Sequence, residues 1–261
     1  MFPDRIVVGS ITTTAYDALH VVAAVVSATL AALLNRRQGI SLRVTAAVAV
    51  LGPVTTYASA RLLDSIEYRR PLTSSDLLLP GPSSIYGGLI AAFVLIAVVS
   101  RIHSVSPLRF LDAAAPAFAL AEATTRVGCY LAGCCYGIRW TGPLAVTFPP
   151  GSLVFSEQVA RGLVSAAASH SLPVVPVQLL SVALAAVACA WLVLGFLRPH
   201  SPGTVFFRFL LFYGVLRLGM APLREEALAS MKVFSIAFIT AGTLGLRCAR
   251  GRHAVPAPEP V

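Results

Sequence analysis

The chain has 261 residues, of which 57% are hydrophobic and 12% are charged, whereas soluble domains average about 45 to 50% apolar and about 25% charged residues. This composition does not fit a soluble globule and predicts one membrane domain with short loops. The 20 Lys and Arg outnumber the 11 Asp and Glu, but nearly all are arginines scattered between apolar runs. That pattern is typical of anchoring at lipid headgroups and does not favour nucleic-acid binding.

Seven apolar runs have about the length that a helix needs to cross a bilayer, which is about 20 residues. They cover residues 18–34, 44–62, 77–100, 111–136, 178–197, 205–220 and 233–246. We therefore predict an all-α integral membrane protein with about seven transmembrane helices in one bundle. No signal peptide is expected, because the first apolar run is followed by further spans.

Residues 1–246 are predicted to form a single transmembrane domain. Within it, the Gly- and Pro-rich sequence after residue 137 predicts a larger extramembrane loop over about 137–175. Residues 247–261 are basic and then Pro-rich, which predicts a disordered C-terminal tail.

The orientation of the chain is predicted from Lys and Arg on the two sides of the membrane, which number ten on the C-terminal side and nine on the other. Three of the nine, Arg61, Arg217 and Arg224, are candidates for a buried site and are weak topology signals. We therefore place the N-terminus outside, with the larger loop in the periplasm, and the C-terminus in the cytoplasm.

Arg126 is the foremost functional candidate, because a charge in hydrocarbon is costly unless it is paired or faces a wet cavity. Glu122 lies four residues earlier, on the same helical face, so a structural ion pair is one interpretation. In a continuous helix Tyr130, Gly133 and Gly137 share that face, so the bulky phenol is followed by a trough without side chains at the two glycines. Such a trough admits either another helix or a lipid headgroup, and both interpretations stay open.

Arg217 and Arg61 are further guanidinium groups at or near membrane depth, and Arg224 follows shortly after the sixth span. A guanidinium keeps its charge and binds phosphate with two parallel hydrogen bonds. Converging arginines therefore indicate a phospholipid headgroup. Snorkelling to the interface is the alternative for Arg61 and Arg224.

Cys129, Cys134 and Cys135 form a cluster that invites a metal or redox interpretation. In a continuous helix, however, Cys129 and Cys134 lie about 140 degrees apart at 100 degrees per residue, and adjacent cysteines bridge only with strain. The cluster has no CxxC spacing and no nearby His. We expect these cysteines to pack as small apolar residues and expect no metal.

Tyr86, Gly87 and Gly88 open the third span. The glycines allow close approach to the backbone, and the phenol is able to hydrogen-bond a phosphate or glycerol oxygen. A tyrosine of the interfacial aromatic belt is the alternative.

Short motifs in order along the chain resemble the bacterial prolipoprotein diacylglyceryl transferase family, seven-span enzymes of the inner membrane. The family's fourth-span signature, Gly-Arg-x-Gly-Asn-Phe-x-Asn-x-Glu-x-x-Gly, is similar to TRVGCYLAGCCYG, which keeps Arg126, Gly128 and Gly137. Its His-Gly-Gly-Leu-Ile motif resembles the segment from Tyr86 to Ile90. The remaining matches are Tyr16-Asp17, Ala60-Arg61-Leu62, Pro176 with Gln178 and Leu179, and Gly214 with Arg217 and Arg224.

The arginines of the family motifs are kept, whereas most acid–base and amide groups are replaced. The substitutions are Tyr86 for histidine, Cys129, Ala132 and Cys134 for two asparagines and a glutamate, Val175 for histidine, Leu180 and Ser181 for Tyr-Glu, and Ala221 for glutamate.

The resemblance implies transfer of a diacylglyceryl group from phosphatidylglycerol to the thiol of a lipobox cysteine in a prolipoprotein signal peptide, with no cofactor. It implies catalytic roles for Arg126, Arg217 and Tyr86, and substrate binding by Gly87, Gly88, Arg61, Tyr16, Gln178, Gly128, Gly137 and Arg224. A monomer that binds no nucleic acid is expected. Two alternatives are a phospholipid-binding or other group-transfer paralogue and a thiol-redox membrane protein using the three clustered cysteines.

Overall fold

The computed structural model describes residues 6–8, 11–69, 71, 84–224 and 229–251. A short antiparallel hairpin of β1 (Ile6–Val8) and β2 (Ile11–Thr13) precedes the helices. The helices are α1 (Ala15–Arg37), α2 (Leu42–Glu67), α3 (Ile85–Ile102), α4 (Pro107–Ala132), α5 (Leu153–Ala160), α6 (Val177–Phe196), α7 (Thr204–Met220) and α8 (Ala229–Arg250), with a 3₁₀ turn, Ala221–Leu223, after α7.

Among the described residues, six helices are long and apolar enough to cross a membrane: α1, α2, α3, α6, α7 with the turn that follows it, and α8. Large apolar side chains on these helices are exposed, including Val21, Val50, Val94, Val187 and Val233. Exposed apolar surface of this extent is typical of lipid contact. The prediction of an all-α integral membrane protein is therefore confirmed.

The predicted fourth span is not among these six helices of the described residues. It corresponds to α4, which carries Arg109, Asp112, Glu122 and Arg126. No residue of α4 is exposed, so protein surrounds the helix along its whole length. Charges at membrane depth are tolerated where they face other protein groups. Burial by protein therefore explains how a helix with four charged residues is accommodated in a membrane domain.

Several predicted boundaries need correction. The fourth run was extended to residue 136, but α4 ends at Ala132 because Gly133 adopts the left-handed conformation, with φ +67°. The last helix extends beyond residue 246: α8 runs to Arg250, so the first four residues of the predicted tail are helical. Residues 252–261 of that tail and residues 77–83 of the predicted third run lie outside the described residues.

The segment predicted as the larger loop contains α5 and a small packed core. Tyr136, Phe148, Val154 and Val174 are buried together, and Val146 and Val174 exchange backbone hydrogen bonds of 3.0 Å in each direction. The segment is therefore ordered by its own apolar contacts.

The chain divides into two compact units. The first unit comprises Met1–Ser27, Ala117–Trp191 and Phe212–Ile236, and the second comprises Ala28–Pro116, Leu192–Leu211 and Ala237–Val261. The assignment of residues 1–246 to a single domain stays a prediction.

In the second unit, α3 packs closely on α2 at its N-terminal end. The Ser84 N–H donates to the Ala60 carbonyl oxygen at 3.0 Å. A Cβ at Gly87 would collide with the Ser59 carbonyl oxygen and would lie 2.9 Å from Leu63 Cβ. A Cβ at Gly88 would come no closer than 3.5 Å, to the Thr56 carbonyl oxygen. Close approach of the two helices thus depends on Gly87.

Gly87→Ala should destabilise the protein by about 1 to 3 kcal/mol, because α2 presents backbone that cannot yield to the new methyl group. Gly88→Ala is the matched control on the next residue, where the contact is ordinary and alanine favours the helix. Thermal unfolding of both variants in detergent is the measurement. Equal stability of the two variants would contradict the packing role of Gly87.

Candidate functional site

The first unit contains a buried group of charges built around one carboxylate. Arg126 Nε donates to Glu122 Oε1 at 2.8 Å, one turn apart on α4. Arg217 on α7 places its Nη1 3.9 Å from the same oxygen. All three side chains are at least nine-tenths buried. Two guanidinium groups therefore share a single acid inside the protein.

Arg224 adds a third guanidinium to this cluster. Burial, together with the positive charges of Arg126 and Arg217, lowers the pKa of Arg224. Arginine nevertheless stays protonated in proteins. Among the described residues, three guanidinium groups face the one carboxylate of Glu122, and this excess of positive charge favours binding of an anion.

The backbone around Gly137 holds Arg224 in this cluster. Gly137 pairs with Arg224 in an antiparallel bridge, its N–H donates to the Val175 carbonyl oxygen at 3.0 Å, and Ile138 N–H donates to the Leu223 carbonyl oxygen at 2.9 Å. A Cβ at Gly137 would lie 2.6 Å from the Leu223 oxygen. Only glycine leaves room for this junction, so Gly137 positions the chain that carries Arg224.

The N-terminal end of α1 lies against α4 at Gly128. A Cβ at Gly128 would lie 3.5 Å from the Tyr16 carbonyl oxygen and 3.4 Å from Leu19 Cβ. The phenol of Tyr16 is half-buried and lies within electrostatic range of Arg126. His20 Nδ1 lies 2.8 Å from the Tyr16 carbonyl oxygen of its own helix.

Gln178 joins the end of α4 to the start of α6. Its Nε2 donates to the Cys134 carbonyl oxygen at 2.8 Å, and its side chain is almost completely buried. Its Oε1 has no hydrogen-bond partner among the described residues. A buried acceptor without a partner is costly, so this oxygen is available to a hydroxyl donor.

The trough predicted along one face of α4 is wrong, because Gly133 and Gly137 lie beyond the helix end. The angular argument that separated the cysteines fails for the same reason. After α4 ends, Gly133 and Cys135 both adopt left-handed φ values, +67° and +57°. The sulfur atoms of Cys129, Cys134 and Cys135 consequently all lie within 4.8 Å of one another, so the geometric objection to a metal site is removed.

The predicted site residues fall into two groups. Arg126, Arg217, Arg224, Tyr16, Gln178, Gly128 and Gly137 belong to the first unit, whereas Tyr86, Gly87, Gly88 and Arg61 belong to the second. Tyr86 and Arg61 are buried, which contradicts a belt tyrosine and a snorkelling arginine. The ring of Tyr86 packs near Phe238, with centroids 6.2 Å apart.

Two features of the cluster were missed in the sequence. Glu122 was recognised as the partner of Arg126 but not of Arg217, which lies on a distant helix. Tyr213 places its ring centroid 5.7 Å from Arg217 Cζ, a cation–π contact. Their spacing of four residues on α7 was the available signal.

Comparison with known protein families shows to which family this chain belongs. A family model described as prolipoprotein diacylglyceryl transferase matches residues 3–248. The chain belongs to this family. The predicted resemblance is thereby confirmed over nearly the whole chain, including the segments that carry Glu122, Arg126, Arg217 and Arg224.

Individual relatives match over shorter stretches. A phosphatidylglycerol–prolipoprotein diacylglyceryl transferase 2 of Clostridium perfringens is 41% identical over 69 residues, 26% of this chain and 27% of the relative. Similarly named proteins of Rhodopirellula baltica and Clostridium tetani are each 38% identical, over 79 and 64 residues. These two matches cover 30% and 24% of this chain and 16% and 26% of the relatives. The chain thus spans about a quarter or less of the length of the curated relatives it matches.

Proposed function

We propose that this multi-pass membrane protein transfers a diacylglyceryl group from phosphatidylglycerol to the lipobox cysteine thiol of prolipoproteins. The observation that carries the proposal is the cluster of the buried Arg126 and Arg217 with the half-buried Arg224 around Glu122, in a member of the transferase family. The excess of positive charge among its described residues suits a phosphate group.

The reaction forms a C–S thioether bond and breaks the bond between the glyceryl carbon and the phosphate oxygen. The thiol loses its proton before it attacks, and glycerol phosphate leaves with the negative charge. Arg126 and Arg217 stabilise that developing charge where little water competes. Arg224 and Tyr16 contribute to headgroup binding, and the free Gln178 Oε1 accepts a hydrogen bond from a glycerol hydroxyl.

The resemblance implies a proton acceptor or orienting group at Tyr86. Tyr86, Arg61, Gly87 and Gly88 lie in the second unit, and their roles stay predictions.

A second candidate function is phospholipid binding, or transfer of another group, without lipoprotein modification. It rests on Cys129, Ala132 and Cys134, which stand where the family signature has amide and acid groups. The charge cluster would then bind the headgroup without completing the transfer.

The decisive experiment supplies the purified full-length chain with phosphatidylglycerol labelled in its acyl chains and with a lipobox peptide. We expect the label in the peptide, and none in a peptide whose lipobox cysteine is serine. Rescue of a bacterial strain depleted of its own transferase is the second readout. Binding of phosphatidylglycerol without transfer and without rescue would reject the enzyme and leave the binding paralogue.

We place the protein in the bacterial inner membrane as a monomer, with the N-terminus and the loop of about residues 137–175 outside. Ala167 is exposed in that loop. Ala167→Cys in intact cells should therefore react with a membrane-impermeant maleimide, with the parent chain as the background control. Labelling that occurs only after the cells are permeabilised would reverse the orientation.

A further inference from the structure

Cys129, Cys134 and Cys135 form a group of three thiols whose sulfur atoms all lie within 4.8 Å of one another. Cys129 is on the last turns of α4, and the other two lie on the chain that folds back after Gly133. The Cys134 N–H donates to the Cys129 carbonyl oxygen at 3.0 Å, and the Val154 N–H donates to the Gly133 carbonyl oxygen at 3.0 Å. The convergence is therefore held by backbone hydrogen bonds.

Three sulfur atoms at this separation suit a metal ion better than a disulfide. A metal–thiolate bond is about 2.3 Å long, so three thiolates around one ion lie about 4 Å apart in a planar arrangement. The observed limit of 4.8 Å requires only a small inward movement. A disulfide instead needs a sulfur–sulfur distance of about 2.05 Å, and adjacent cysteines reach it only with strain.

The surrounding charges compensate a thiolate cluster. Arg126 Nη1 donates to Cys129 Sγ at 4.0 Å, and Arg126 and Arg224 both lie within electrostatic range of Cys135. Three thiolates with one monovalent cation carry two negative charges. Arg126 and Arg224 lie near this negative charge and compensate part of it.

A hydrogen bond from Gln178 supports the cluster, and the exposed Cys135 makes it accessible. Gln178 Nε2 donates a hydrogen bond of 2.8 Å to the Cys134 carbonyl oxygen. Cys135 is exposed, Cys134 is half-buried and Cys129 is buried, so an ion reaches the cluster from the side of Cys135. The left-handed φ of Cys135, +57°, is costly for a residue with a side chain, and such strain is typical of functional sites.

We propose that Cys129, Cys134 and Cys135 bind a soft, thiophilic metal ion, and that Cu(I) is the ion whose preferences fit best. Soft thiolates select Cu(I), whereas structural zinc almost always takes four protein ligands, and the described residues supply three. Binding replaces the thiol protons, which pass to solvent. No electron is transferred, and the site does not depend on the transferase activity.

The test adds Cu(I) without oxygen to the purified full-length chain, in competition with a chromogenic Cu(I) chelator. We expect about one chelator-resistant ion per chain and a higher unfolding temperature with the ion bound. Cys129→Ser, Cys135→Ser and the triple serine variant should lose both effects. Cys189→Ser combined with Cys248→Ser is the matched control, since it removes the two cysteines outside the cluster and should keep both.

A second measurement uses only the wild-type chain, in case a variant fails to fold. Bound Cu(I) should protect the three cluster thiols from an alkylating reagent, whereas Cys189 and Cys248 should react as they do without the metal, as read by peptide mass spectrometry. Copper binding that survives in the triple variant, or protection of Cys189 or Cys248 instead, would overturn the proposal. A disulfide among the three cysteines with no metal uptake after reduction would also overturn it and favour the thiol-redox interpretation.

Discussion

Replacing Arg126 with lysine should lower the turnover of diacylglyceryl transfer about 100-fold and weaken phosphatidylglycerol binding much less. Lysine keeps the positive charge but loses the planar fork that holds two oxygens at once. An interaction that strengthens as charge develops on the leaving phosphate lowers the barrier, whereas one of equal strength in both states only tightens binding. Arg126→Ala should lose both turnover and binding.

The measurement compares transfer to a lipobox peptide with binding of phosphatidylglycerol by the same purified variants. Arg198→Lys is the matched control, because Arg198 is exposed beyond the end of α6. Arg126→Ala also leaves Glu122 with only its longer contact to Arg217, so the yield and unfolding temperature of each variant are recorded beside its activity. Normal transfer by a folded Arg126→Ala variant would remove Arg126 from the site.

Removing the Glu122 carboxylate should have the largest effect on stability. Glu122 is the acid shared by Arg126 and Arg217, and without it two buried guanidinium groups repel each other. Breaking a buried ion pair by removing one partner costs about 3 to 5 kcal/mol. Glu122→Ala should therefore lower the unfolding temperature and the yield of membrane-inserted protein. Glu122→Gln, which keeps a hydrogen-bond acceptor, should do so to a smaller extent.

Two further variants test whether the loss of stability in Glu122→Ala comes from the buried charges. Glu122→Ala combined with Arg126→Ala should be less destabilised than the sum of the single changes, because one of the stranded cations is removed together with the acid. Glu157→Gln is the control, since Glu157 is exposed and accepts a hydrogen bond from Tyr136 Oη at 2.6 Å. A Glu122→Ala variant as stable as Glu157→Gln would show that the buried charges do not depend on Glu122.

Part of the fold and of the site was predictable because it depends on local properties of the chain. Hydropathy over about 20 residues is set by composition alone, so the helical membrane class and the positions of the long helices followed from the sequence. The ion pair between Glu122 and Arg126 also followed, because residues four apart on a helix face the same side. The short motifs likewise predicted the family, which the match over residues 3–248 confirms.

Other features depended on contacts between distant segments, which no local pattern encodes. Arg217 on α7 pairs with Glu122 on α4, a contact between distant segments. The four charged residues of α4 are tolerated because none of the residues of this helix is exposed. The helix end at Ala132 had a local signal in Gly133, a residue suited to the left-handed conformation that ends helices. The apolar sequence continues beyond Gly133, however, so hydropathy alone does not indicate where the helix ends. Only the tertiary structure therefore decided that the three cysteines converge, because the chain after Gly133 is held back by hydrogen bonds to α4, α5 and Gln178.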